Sequence, residues 1–344
     1  MKRFFTRCPA VLGLILLLAT ACQTEIERGE TAVSPHQLLP PSPYPQTQPQ
    51  PNPPSRHNQS PQPKQPSRLL PRPSSLPTST TFRLLSSTPW QISPASPAII
   101  IDLQTGEQIS LNPDVALAGT SLIKIPLLVE TFRALDRPPD IEQTKLLTQT
   151  TSVSSNFAAN LLLRDVVGGG DIFSGADALT QSMRNLGLYN TFIAVPYNLE
   201  PPPGRQQTYL TPANQRTDLS TRPDPYRQTT LGDLARLLTE IYSCAQSSSG
   251  LLREVYPEQI MQNECQEILR LLELNELARL LQNGLPENVT FSHKVGWIDD
   301  THGNIGIVFG PERPYLIGMA LYAPGWLEWE ESAPLFESCL PPDI

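Results

Sequence analysis

Ala98-Ile99-Ile100-Ile101-Asp102-Leu103 is the stretch from which the fold can be read. Five of its six residues are apolar, and so short an apolar run beside a turn reads as a buried strand. Gln104-Thr105-Gly106 supplies the turn, and Glu107 to Leu111 alternates like the returning strand of a hairpin. Helical patterns follow over Ser121–Leu135, Asn156–Val167 and Ala176–Leu186. From Thr230 to Tyr242, a threonine cap precedes Leu231, Leu234, Leu237, Leu238 and Ile241 on one stripe. A further helical stretch covers Glu258–Gln282 and stops at Asn283-Gly284. Three strand patterns close the chain: Val289–Lys294, Ile305–Phe309 and Tyr315–Tyr322. Strands at both ends with helices between them predict an α+β domain, one antiparallel sheet built from both chain ends plus a mainly helical region. Pro196–Gln228 has no regular pattern, and a loop of that length in a compact domain is usually functional.

Working outward, composition divides the 344-residue chain. Fifteen of its 38 prolines fall between Pro35 and Pro77, among Ser, Gln, Asn and Arg. Such a segment has too little apolar surface to offset the entropy of ordering. The expected organisation is a signal peptide over 1–21, a Pro-rich disordered tether over 22–85 and one folded domain over 86–344. A net charge of −8 with sparse lysine argues against nucleic-acid binding. Outside the N-terminus no apolar run reaches membrane-spanning length.

At the N-terminus, Lys2, Arg3 and Arg7 precede an apolar run from Pro9 to Ala21. The run ends in Ala19-Thr20-Ala21-Cys22, which resembles a bacterial lipobox in which the Cys22 thiol is lipidated. That resemblance implies an extracytoplasmic lipoprotein on the periplasmic side, anchored to a membrane, with the tether as a semi-rigid spacer. Removing Cys8 and Cys22 leaves Cys244, Cys265 and Cys339, an odd number for an oxidising compartment. Cys244 and Cys265, on successive predicted helices, are the favoured disulfide, which leaves Cys339 free. There is no CxxC or HExxH, and the domain holds only His293 and His302, so neither a metal nor a cofactor is expected. Gly168-Gly169-Gly170 lacks a following Lys-Ser/Thr and reads as a loop after a helix, not a phosphate cradle.

The chemistry is carried by scarce residues. The domain has three lysines, Lys124, Lys145 and Lys294. Ser121-Leu122-Ile123-Lys124 sets a hydroxyl and an amine three residues apart at a helix start, hence on one face. A serine hydroxyl needs a nearby base, and a lysine serves when burial and neighbouring cations lower its pKa. Pro126 removes a backbone bond to Leu122, so the first helical turn must deform. Ser154-Ser155-Asn156 follows about 30 residues later, and Lys294-Val295-Gly296-Trp297 lies on a late strand.

The order S-x-x-K, S-x-N, K-x-G resembles the motif set of the class A β-lactamases and penicillin-binding serine enzymes. The likeness runs from about Ala98 to Tyr322. It implies Ser121 as the acylated nucleophile and Lys124 as its proton-transfer partner. Ser154 would relay a proton to the leaving nitrogen, and Asn156 would hold the substrate amide and Lys124. Lys294 would supply positive charge near Ser154 and the substrate carboxylate. The amides of Ser121 and Trp297, around Gly296, would form the oxyanion hole. The implied partner is a β-lactam or a D-Ala-type peptidoglycan peptide, acted on by a monomer without a cofactor. The alternative is a wall-peptide-binding lipoprotein that keeps the fold and does not hydrolyse. A third reading is an esterase using the same serine and lysine. A Ser-His-Asp triad through His293 or His302 fits poorly, because His293 alternates with Lys294 on its strand.

Departures from the pattern matter. Val295 stands where the family has Thr or Ser, and Ser155 replaces a structural aspartate. An ungapped match puts Tyr197 at the expected deacylating glutamate. Glu200, three residues later, is the nearest candidate base, with Asp218 and Asp224 behind it. Pro89, Pro94 and Pro97 disfavour an N-terminal helix, and Pro334 interrupts the C-terminal segment. A thinly covered outer sheet face is therefore expected, with Trp326, Trp329, Leu335 and Phe336 as partial cover.

Overall fold

A computed structural model describes residues 93–277 and 280–338 of the chain. The expected signal peptide, tether, Cys22 and Cys339 lie outside the described residues.

The hairpin is β1 (Ala98–Asp102) paired antiparallel with β2 (Gln108–Leu111), Ile100 facing Ile109. Asp102 shapes the turn by accepting from the amides of Gln104 (2.9 Å) and Thr105 (3.0 Å). Gly106 completes it at φ +75°, a conformation that favours glycine. The apolar run is explained by cover on both faces. Ile99 and Ile101 join the core against the helices, and Ala98 and Ile100 join a second core behind the sheet.

β6 (Thr290–Ile298), β7 (Thr301–Phe309) and β8 (Pro314–Tyr322) complete a five-stranded antiparallel sheet in the order β2-β1-β8-β7-β6. β1 joins β8 with Ile100 opposite Ile317, so the two chain ends share one sheet, and β6 is left as an edge. A small second sheet, β3 (Leu117–Ala118), β5 (Arg227–Thr229) and β4 (Phe192–Ile193) in that order, ties the loops around the helical region.

The helices are α1 (Lys124–Ala134), α2 (Ile141–Thr151), α3 (Asn156–Leu161), α4 (Ile172–Asn185), α5 (Leu231–Ser247), α6 (Leu251–Val255), α7 (Gln262–Glu273) and α8 (Trp329–Ser338). α5 is the packing centre and lies on β1, β7 and β8 as well as α7. Its stripe of Leu231, Leu234, Leu237, Leu238 and Ile241 is fully buried, and the Thr230 hydroxyl accepts from the Asp233 amide at 3.0 Å. Burying each such leucine contributes about 2 kcal/mol. Cys244 on α5 is disulfide-bonded to Cys265 on α7.

Several elements differ from the sequence expectation. The first helix begins at Lys124, not Ser121; the amides of Lys124 and Ile125 bond three residues back, and Pro126 has no amide to offer Leu122. α2 has no counterpart in the expectation, since its only regular signal is an N-terminal capping box between Asp140 and Gln143. The Asn156–Val167 helix turns π-helical over Leu162–Val167 before the glycine loop. α4 begins four residues earlier than expected, at Ile172, because Asp171 caps it by accepting from Phe173 and Ser174 amides. The long Glu258–Gln282 helix is instead α7 and a 3₁₀ turn over Leu281–Gly284. The outer sheet face carries the full ten-residue α8 despite Pro334. Phe336 and Leu327 fill the core beneath it, whereas Trp326 is 59% exposed and covers little.

Candidate active site

Two backbone distortions prepare the site. Thr120, immediately before Ser121, has φ +44°, and Ser154 has φ +53°. For a β-branched residue this is a costly conformation, and such strain persists only where the surroundings hold it. Ser121 then sits on the tight turn leading into α1, and Ser154 on the bend between α2 and α3. Ser155 accepts from the Ala158 amide at 3.1 Å and so anchors the start of α3.

Lys124 joins these segments. Its side chain is fully buried, and Nζ lies 3.0 Å from Ser121 Oγ, 3.1 Å from Ser154 Oγ, 2.8 Å from Asn156 Oδ1 and 2.5 Å from the Ser154 carbonyl. Burial lowers its pKa from 10.5 to about 7. A neutral amine has two N–H groups and one lone pair. The Ser154 carbonyl and Asn156 Oδ1 can only accept, so they occupy the two N–H groups. The lone pair is left for a hydroxyl proton, and Ser121 is in range to give it. A serine activated by a lysine is what this arrangement can supply chemically.

Lys294 approaches from β6. It is fully buried, donates to the Val295 carbonyl at 3.0 Å, and has its pKa held well below the usual lysine value by burial and then by repulsion from Lys124. Gly296 lies on the same face two residues on. A side-chain carbon there would come 2.8 Å from the Ser121 amide nitrogen and 2.2 Å from Thr120 Oγ1, so the strand can lie against the nucleophile's backbone only with glycine at this position. The two amines far apart in sequence therefore belong to one region, built from a helix start and an edge strand.

The odd-numbered β6 residues alternate onto the other face. Val295 is fully buried in the core behind the sheet, so its side chain is not exposed at the site. His293 is buried, stacked on Phe291 at 4.3 Å with Nδ1 3.0 Å from Asn304 Nδ2, and burial lowers its pKa to about 3. Trp297 is 42% exposed and packs edge-on against Trp329 of α8.

Glu200 is not gathered in. It is exposed, and among the described residues no hydrogen bond joins it to Ser121, Lys124, Ser154 or Asn156. Asp218 pairs with Arg216, and Asp224 with Arg227 at 2.7 Å. The residue beside Lys124 is Tyr197, whose ring centroid lies 4.8 Å from Nζ. Its hydroxyl donates to the Thr120 carbonyl at 2.9 Å, and burial raises its pKa. Asn160 grips the Tyr197 backbone twice, donating to its carbonyl (2.7 Å) and accepting from its amide (3.1 Å). Sequence reasoning missed Thr120 and Asn160, because neither local pattern nor spacing marks them.

Comparison with known proteins fits this geometry. The profile of the beta-lactamase enzyme family matches residues 136–334, more than half of the chain, and the chain belongs to that family. No curated protein matches. Among solved structures, one described as PBP-A is 21% identical, with a TM-score of 0.55 over 74% of this chain and 90% of that one. A PBP-A variant described as an acyl-enzyme complex with penicillin G is 20% identical, with a TM-score of 0.53 over 72% and 88%. A beta-lactamase from Sphaerobacter thermophilus is 17% identical, with a TM-score of 0.51 over 71% and 88%. These likenesses establish the beta-lactamase fold.

Proposed function

We propose that the protein is an extracytoplasmic serine hydrolase that is acylated at Ser121 by β-lactams or related D-Ala-type wall peptides and deacylates slowly. The observation that carries the reading is the Lys124 amine, buried, with its pKa lowered to about 7, and 3.0 Å from the Ser121 hydroxyl. Lys124 takes the Ser121 proton as Oγ attacks the carbonyl carbon. The new oxyanion is met by the amides of Ser121 and Trp297. The carbon–nitrogen bond then breaks, and the leaving nitrogen takes a proton from Ser154 Oγ, which Lys124 replenishes at 3.1 Å. Lys294 becomes protonated when a substrate carboxylate arrives to pair with it. A likeness to a fold captured with penicillin G as an acyl-enzyme supports this choice of substrate.

Deacylation needs an activated water, and the ungapped match to the family puts Tyr197 at the position of the carboxylate that would activate it. General-base assistance is worth roughly 10²- to 10⁴-fold, so the acyl-enzyme persists. Glu200 would have to swing in from solvent to serve. Labelling with a fluorescent penicillin tests this, with Ser121→Ala as control. A stable label lost in the variant is expected; rapid release would mean efficient hydrolysis, and no label would leave a non-hydrolysing binding protein. Lipidation of Cys22 and anchoring through the 22–85 tether belong to the same proposal. Incorporation of labelled palmitate, absent in Cys22→Ala, is the expected result.

A further inference from the structure

Tyr197 makes more contacts with the catalytic apparatus than a space-filling residue needs. It is 5% exposed, its hydroxyl reaches the carbonyl of the left-handed Thr120, and its ring faces the Lys124 amine. The Arg227 guanidinium lies 5.2 Å from the same ring, held in turn by Asp224 and by the carbonyls of Val195 and Pro196. Both backbone polar groups of Tyr197 are fixed by Asn160 on α3. The residue thus links α3 through its backbone, and β5 and the residue preceding the nucleophile through its side chain.

We propose that Tyr197 is a positioning residue with two functions: its hydroxyl holds the Thr120–Ser121 turn in its strained, reactive conformation, and its ring keeps water away from the Lys124 amine. The proposal deepens the reading of Ser121 and Lys124 as an acylating pair and rests on it. The two functions are separable by substitution. Tyr197→Phe keeps the ring and removes the bond to Thr120. Tyr197→Ala removes both and lets water reach the amine.

Rehydration has a definite sign. The charged groups around the amine are Lys294 from β6 and, across the ring, Arg227 from β5 with Asp224. None of them is removed by the substitution. Water readmitted beside Lys124 raises its pKa back towards the ordinary lysine value, while loss of the ring's attraction for a cation lowers it. Desolvation shifts reach several pH units and an aromatic contact offsets about one, so the upward shift wins.

The experiment follows the burst of nitrophenolate when Ser121 is acylated by p-nitrophenyl acetate, as a function of pH, alongside penicillin labelling. In this step the Ser121 Oγ–acyl bond forms, nitrophenolate leaves, and the serine proton passes to Lys124. Tyr197→Phe should slow the burst about five-fold, the worth of one neutral hydrogen bond, and leave its pH midpoint unchanged. Tyr197→Ala should raise the midpoint by at least about one pH unit and speed loss of the acyl group at least about ten-fold. A purely structural role would lower thermal stability and move neither the midpoint nor the loss of the acyl group. An unchanged burst rate in Tyr197→Phe overturns the first function, a result that holds even where Tyr197→Ala does not fold. An unchanged midpoint in a folded Tyr197→Ala overturns the second. A wild-type burst without penicillin labelling refutes the β-lactam reading alone and leaves both Tyr197 measurements valid. No burst with either reagent overturns both.

Discussion

Replacing Lys124 by methionine tests the electrostatic premise of the site through stability, independently of any substrate. In the unfolded chain the amine titrates near the ordinary lysine value; in the folded protein burial brings it to about 7. Between these values the unfolded state holds a proton that the native state lacks. Stability therefore rises with pH across that window, by about 1.4 kcal/mol per pH unit. Below pH 7 both states are protonated, and the native protein bears the whole cost of a buried ammonium. Methionine keeps most of the volume and carries no titratable group. It also forfeits the contacts of Nζ with Ser121, Ser154 and Asn156, a loss nearly constant with pH. Between pH 7 and pH 9 the wild-type protein should accordingly gain roughly 2–3 kcal/mol relative to Lys124→Met. Lys294 does not cancel: without repulsion from Lys124 its own pKa rises in the variant, which widens the difference in the same direction. Urea unfolding at pH 7, 8 and 9 measures the difference directly. If the two proteins keep a constant separation over that range, Lys124 is not a neutral amine there, and the proton-transfer scheme for Ser121 fails with it.

Other outcomes follow from single contacts. Gly296→Ala drives a methyl to 2.8 Å from the Ser121 amide, so acylation should fall at least about ten-fold while the fold survives, measured by penicillin labelling and circular dichroism. Val295→Thr places a hydroxyl in the core behind the sheet. It should cost about 1–3 kcal/mol in urea titration and leave labelling by carboxylate-bearing substrates unimproved. Reducing Cys244–Cys265, which are 21 residues apart, should lower stability by about 3 kcal/mol, read from the shift in unfolding midpoint with dithiothreitol.

The strands and the larger helices were legible because each carries its own local signal. The Ala98–Leu103 run and the late strands are short apolar runs covered on both faces, and the α5 leucine stripe buries one helical face. α2 was not legible, since its Lys145-to-Thr151 half has few apolar residues and its stability comes from neighbours and a cap. The C-terminal helix was hidden by Pro334, a local penalty outweighed by burying Phe336 and Leu327.

The same division runs through the site. Residue order alone presents Ser121 beside Lys124, then Ser154 and Asn156, then Lys294, because three residues along a helix start are already neighbours and the motif order can be counted. Whether a lysine is a base or a surface charge depends on its surroundings. Only the packing of α1, α3 and β6 around Lys124 removes its water and gives its amine four oxygen neighbours. That Tyr197 rather than Glu200 sits beside that amine also depends on the path of a loop with no repeating pattern, and Asn160, 37 residues away in sequence, holds it there. Periodicity encodes faces; desolvation and loop path arise from contacts between segments that the linear order leaves far apart.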